Sequence, residues 1–239
     1  MLYTVVGSGF IALGLAIGWY GIRPLAVVPS VLRATVRDPS EVASTGSFVV
    51  CRGVANESSE TLTTPFTGSR SLGFEFEVTE RQPFGIGIPW FQTHLDDGMT
   101  TRPFTLDGPS GSLDVVPSAK RFSLDTESTV ITVGASETPP ERIQRFVDVR
   151  DDLEPVARWA RIIPGLGTRR YVERRTVPDE EYLIAGHTER QQNEAVLTGD
   201  LVITDRSPRR FAFSRLWRAV FPTVVALAFV AVGVGGIAL

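Results

Sequence analysis

The side chains able to act as metal ligands, nucleophiles or acid-base groups are few in this 239-residue chain, and their spacing brings almost none together. Cys51 is the single cysteine, and His94 and His187 are the two histidines. A structural zinc site takes four ligands, mostly Cys and His, so these three residues cannot build one, and a lone cysteine cannot close an intramolecular disulfide. Cys51 ends the apolar run Phe48-Val49-Val50-Cys51 and reads as a small core residue of a strand. Asp96 and Asp97 are adjacent, so extended backbone would aim them to opposite sides; with Gly98 they read as a turn. Asp107, in Asp107-Gly108-Pro109-Ser110-Gly111, reads the same way. Gly85-Ile86-Gly87-Ile88-Pro89 has the glycine content of a phosphate cradle without its lysine or a following helix start. It reads instead as a hairpin tip that touches lipid through Phe84, Ile86, Trp90 and Phe91. No G-x-S-x-G, Walker loop or H-E-x-x-H occurs. The sequence thus assigns no catalytic residue, no metal site and no cofactor.

What must position these residues is set by the two ends of the chain. Leu2 to Ile22 and Ala219 to Leu239 carry no charge, and all 24 basic and 27 acidic residues lie between Arg23 and Arg218. At 1.5 Å per residue each apolar stretch makes a helix about 30 Å long, the hydrocarbon thickness of a bilayer. The first run is too long for a signal peptide and has no basic residue before it, so it reads as an uncleaved anchor. Gly7, Gly14, Gly18 and Gly21 fall on one helix face, and Ala228, Ala231 and Gly235 form a similar stripe in the second span. These stripes are expected to pack on each other within a chain, or between chains as a homo-oligomer. Arg209, Arg210, Arg215, Trp217 and Arg218 form a collar at the lipid interface, with Arg206 just before them. Arg23, Arg33 and Arg37 follow the first span, so the basic flanks place the middle of this cell-membrane protein in the cytoplasm and both termini outside. Asn56-Glu57-Ser58 offers a glycosylation test of that orientation. The net charge is −3 and no basic face interleaved with aromatics stands out, so nucleic acid is not an expected partner.

Between the spans the pattern divides into a connector over residues 23–46, a β-rich domain over 47–205 and an arginine-rich segment over 206–218. In the connector, Val28, Val31, Leu32 and Val36 could line a short interfacial helix before the Asp38-Pro39 turn. Strands are expected at Phe48–Cys51, Leu72–Val78, Leu113–Val116, Val130–Val133, Arg170–Glu173, Glu181–Gly186 and Leu201–Thr204. Strict alternation puts Leu72, Phe74, Phe76 and Val78 on one core face. Turns are expected at Pro65-Phe66-Thr67-Gly68 and Pro178-Asp179-Glu180. A helix capped by Thr138, with Pro139 and Pro140 in its first turn, would bury Ile143, Phe146 and Val147. A second helix over Leu153–Ile163 would gather Val156, Trp159, Ile162 and Ile163. The expected architecture is a membrane protein with two transmembrane helices flanking one mainly-β (α+β) domain, a small barrel or sandwich with one or two helices.

Gly53-Val54, Leu62-Thr63-Thr64-Pro65, the stretch from Pro103 to Leu113, Tyr171-Val172-Glu173 with Pro178, the Tyr182 to Gly186 strand and Leu201 to Ser207, set between two spans, together resemble the GIDE, or beside-a-membrane (BAM), domain family. That domain lies between the two membrane helices of MULAN-type mitochondrial ubiquitin ligases. The resemblance implies a membrane-tethered interaction or scaffold module that recognises a protein partner or the membrane surface. It also implies an alternative, a component of a ubiquitin-like conjugation system with a RING-type E3 ubiquitin transferase label. Such ligases carry a zinc-binding RING finger, and one cysteine cannot furnish it, so any catalytic part of that system would lie on another chain.

Overall fold

The computed structural model describes every residue except Met1, residues 43–45, Ser59, residues 83–90, Asp152, residues 192–193 and Leu239. Its helices are α1 (Leu2–Ile22), α2 (Val28–Arg33), α3 (Glu141–Asp148) and α4 (Pro208–Ala238). Two compact units result, a helical one from Met1–Thr35 with Arg206–Leu239 and a β-rich one from Val36–Asp205.

In the helical unit two helices are long and apolar enough to cross a membrane. α1 coincides with the uncharged stretch, but α4 is 31 residues long and starts well before Ala219. The arginine-rich juxtamembrane segment, set apart from the span in the sequence, is therefore continuous helix with it from Pro208 on. Pro208 suits a first helical position, and the Ser207 carbonyl accepts from Phe211 N at 2.9 Å. In the connector α2 buries Val28 and Val31, while Leu32 is exposed. The helix ends earlier than expected because Ala34 turns extended, and Val36 opens the two-residue strand β1 (Val36–Arg37). Asp38 then starts a tight turn, its carboxylate accepting from Ser40 N at 3.0 Å.

The β unit is a closed barrel with a second sheet grown from two of its connections. Barrel strands are β2 (Phe48–Glu57), β7 (Phe104–Asp107), β8 (Ser112–Asp125), β11 (Glu180–Gln191) and β12 (Glu194–Thr204). Their order is β2-β11-β12-β8-β7, closed by β7 on β2. Only the β12–β8 pair is parallel within this ring. Numbered as barrel strands one to five, the order 1-2-3-5-4-1 with a parallel 3–5 pair is that of the five-stranded OB barrel. The barrel, rather than a sandwich, is what these strands form. Gly53 sits beside the closure, where a Cβ would lie 2.5 Å from the Asp107 carbonyl oxygen. Cys51, Leu106, Val115, Ile184, Leu197 and Ile203 are among the residues that fill the barrel.

The connection after β2 carries the small hairpin β3 (Leu62–Thr63) and β4 (Arg70–Ser71), then β5 (Gly73–Gln82) and β6 (Phe91–Thr101). The connection after β8 carries β9 (Ser128–Val133), α3 and β10 (Arg169–Thr176). These strands combine as the antiparallel sheet β6-β5-β10-β9. Its core of Phe66, Phe74, Phe76, Val78, Ile143 and Tyr171 is separate from the barrel's. The alternating face beginning at Leu72 is thus shared by two cores, Leu72 in the barrel and its successors in the second sheet.

Three local expectations are corrected. Asp96-Asp97-Gly98 lies inside β6 rather than in a turn, because Gly98 faces Phe76 across the strands and a Cβ there would meet its ring at 2.5 Å. Asp96 is held by Arg150 Nη1 at 2.8 Å, whose guanidinium also stacks over Phe146. α3 is capped by Pro140 without a side-chain bond, so Thr138 does not cap it. Between Leu153 and Ile163 only the 3-10 turn Arg158–Arg161 forms. Pro155 disfavours helix at Glu154, and Pro164 shortens what could follow, leaving Ile162 81% exposed.

Candidate functional site

The glycine stripe of α1 is the surface on which α4 packs. A Cβ on Gly7 would lie 2.6 Å from the Gly233 carbonyl oxygen, one on Gly14 2.8 Å from that of Ala226, and one on Gly21 2.8 Å from Pro222 Cβ. Gly18 lies 3.5 Å from Ala226 Cβ by the same measure. The pairs run in opposite senses, so the helices are antiparallel and their backbones touch. The expected partner stripe is corrected: Ala228, Ala231 and Gly235 are exposed, and nothing lies within 4 Å of a Cβ placed on Gly235. Ala212, Ala219, Ala226 and Gly233 are the buried small residues of α4 among the described residues. They recur every seven residues, as do Gly7, Gly14 and Gly21, and that matched heptad is the signal that spacing by three and four hid.

The collar separates into two faces. Arg209, Arg210, Trp217 and Arg218 line one open groove of about 670 Å³ together with Phe213 and Ser214. Phe213 and Trp217 stack edge to face with centroids 6.1 Å apart and are each 63% exposed. Arg215 lies on another side of the helix, its guanidinium 5.2 Å from the Phe211 ring centre. Of the proposed hairpin-tip contacts, Phe84, Ile86 and Trp90 lie outside the described residues, and Phe91 opens β6 paired with Gln82.

In the β unit a polar cleft of about 310 Å³ forms where β9, β10, β11 and the end of β12 meet, with Glu127, Glu180, Asp205 and Arg175 in its wall. Tyr182 closes it from below: its hydroxyl accepts from Val177 N at 2.9 Å and donates to Glu180 at 2.9 Å. Burial first, then the neighbouring carboxylates, raise the ionisation of that hydroxyl well above its ordinary range. A smaller cleft of about 230 Å³ lies where the ends of β7, β8, β11 and β12 meet. Here it carries Asp114 and Glu194 and no basic side chain. His94 bonds Asp97 at 2.7 Å, and His187 packs on Phe48, so the two histidines serve separate neighbourhoods. Cys51 is fully buried, and burial pushes its thiol up to about 11. Asn56 donates from its side-chain nitrogen to Asp107 at 2.6 Å within β2, which ties up the atom a glycan would need.

Of the buried carboxylates among the described residues, Glu80, Asp125 and Glu173, none was noticed in the sequence, and two have partners that define their role. Glu80 pairs with Arg169 at 2.8 Å, both nearly excluded from water. Glu173, 1% exposed, accepts from Phe66 N at 2.9 Å, Thr67 N at 3.3 Å and the Thr67 hydroxyl at 2.6 Å. It thereby pins the Pro65–Gly68 turn and seats Phe66 edge-on to Phe146 and Tyr171. Glu173→Gln keeps one acceptor but turns an amide toward donors, and should cost about 1.5–3 kcal/mol in urea unfolding of the full chain. An unchanged midpoint would mean that water already serves those amides.

Compared with family models, curated proteins and solved structures, the chain matches none.

Proposed function

We propose that this chain is a membrane-tethered interaction module of the GIDE type, held in the bilayer by α1 and α4, whose cytoplasmic β unit recognises a protein partner. The observation that carries this reading is how charge divides between the units. Seven of the 24 basic residues and none of the 27 acidic ones belong to the helical unit, which leaves the β unit with 17 against 27, a net −10. An anionic leaflet attracts the first and repels the second. Of the two ligands open to the β unit, a protein and the lipid surface, charge therefore favours the protein, and requires it to present a basic surface. The cleft at Glu127, Glu180 and Asp205 and the acidic barrel face at Asp114 and Glu194 are the places such a surface would meet.

The test places a photo-crosslinking residue at Glu127, at Glu194 and, for comparison, at Val149 in the full chain in its membrane. Glu127 and Glu194 should each give a discrete polypeptide adduct that disappears in about 1 M salt, where the screening length falls to about 3 Å. Absence of any adduct counts against the module. Orientation is tested by Val149→Cys, at a position 82% exposed, while buried Cys51 stays silent. An impermeant maleimide should label it only after permeabilisation; labelling of intact cells would invert the topology.

A further inference from the structure

We infer that the open edge of β9 takes up an extended, basic segment of the partner as a fifth strand of the second sheet. The inference rests on the partner reading above and says in what form that partner is presented. The sheet order ends at β9, which pairs with β10 in an unbroken antiparallel register, from Ser128 opposite Arg174 to Val133 opposite Arg169. Antiparallel pairing uses the N–H and C=O groups of every second residue, so the alternate set along Ser128–Val133 points away from the sheet. Among the described residues no other backbone group bonds it. Ser128, Val130 and Thr132 are exposed, and an incoming chain can reach them.

Composition sets this edge apart. Five of its six residues are β-branched, and it carries no charge, proline, glycine or bulge. Such devices ordinarily keep an edge strand from pairing with another chain. β6, the opposite edge of the same sheet, has them in a bulge at Leu95 flanked by His94, Asp96 and Asp97. β9 is thus a template for strand addition, in which backbone bonds supply affinity and side chains supply selectivity. Here the selectivity is one of charge. The acidic cleft opens beside Ser128 and Thr129, and the arginine in its wall, Arg175, is turned to Thr67 at 3.3 Å and Glu173 at 3.5 Å, leaving Glu127, Glu180 and Asp205 to set its sign. An added strand lies about 5 Å from β9, so an arginine on it reaches that cleft. A second copy of this chain would set one β unit of net −10 against another, and charge therefore selects a basic segment over self-pairing.

The probe is a synthetic heptapeptide of alternating threonine and valine with an arginine at each end, titrated into the full chain in phosphatidylcholine nanodiscs. Hydrogen exchange reads the amides of β9, and fluorescence anisotropy of the labelled peptide reads affinity. Binding should slow exchange across Ser128–Val133, and glutamate in place of both arginines should weaken it at least about ten-fold. Methylating the backbone nitrogens of the threonines or, separately, of the valines blocks one edge of the peptide or the other, so one change should abolish binding and the other spare it. Equal effects of the two methylations, or β9 amides left unchanged, overturn the added strand while recognition of a basic partner stands. Equal affinity of the arginine and glutamate peptides overturns both. Binding of neither peptide overturns this inference and leaves the partner reading to its crosslinks. Protection of β9 without peptide, growing with the protein-to-lipid ratio, assigns the edge to a second copy and also overturns it.

Discussion

Replacing Arg169 by methionine is expected to destabilise the β unit by about 3–5 kcal/mol, the cost of leaving a buried charge without its partner. The Arg169 Nε sits 2.8 Å from Glu80 Oε2, and the two side chains are only 9% and 8% exposed. Arg169 also donates to the Glu154 carbonyl and so ties the loop after α3 to the second sheet. Without the guanidinium, the Glu80 carboxylate keeps its bond from Gln82 at 3.1 Å but remains in a site where water cannot compensate it. Replacing Glu80 by methionine as well removes the stranded charge, so the double variant should recover much of the loss. Urea unfolding of the full chain in detergent, followed by far-ultraviolet circular dichroism, measures both. A single variant within about 1 kcal/mol of the parent would mean that water reaches the pair.

That ion pair shows how far the sequence could be read. The β5 alternation was legible through Val78, and its next step on the same face is Glu80. On β10 the face of buried Tyr171 also holds Arg169 and Glu173. Charged residues on a core face usually end a strand assignment, because burying them alone is costly. Here β5 and β10 extend past that point, since Arg169 faces Glu80 directly across the strands and Glu173 takes its donors from a turn far away in sequence. Period two tells which face a residue occupies and nothing about its partner on another strand, so the charges were visible and their pairing was not.

The same limit separates the parts of the barrel. Individual strands show as apolar or alternating runs, and the explicit turn Asp107–Gly111 marks the β7–β8 hairpin, where Gly108 N donates to the Gly111 carbonyl at 2.8 Å. The parallel β8–β12 pair joins residues some 80 positions apart, with no turn chemistry to announce it. The order that makes the barrel an OB barrel therefore had no local signature. Gly98 misled for a related reason: its turn-like neighbours Asp96 and Asp97 are local, whereas the Phe76 ring that requires a glycine comes from another strand.

Substituting leucine at both Gly7 and Gly14 should separate α1 from α4. Each added Cβ falls at 2.6–2.8 Å from carbonyl oxygen of the facing helix, and backbone cannot move aside as a flexible side chain can. Overpacking costs about 1–3 kcal/mol per site. The sites are two helical turns apart, so their effects should add to roughly 2–6 kcal/mol. Titration with sodium dodecyl sulfate in mixed micelles, read by helix contact, measures the loss. Gly9→Leu and Gly235→Leu are the matched controls, since a Cβ at either meets nothing within 4 Å. They add the same apolar volume to the same two helices and should leave the titration unchanged. If Gly235→Leu proved as damaging as the Gly7 and Gly14 changes, the pairing of Ala226 and Gly233 with α1 would be wrong. The stripe of Ala228, Ala231 and Gly235 would then be a packing surface rather than a face left to lipid.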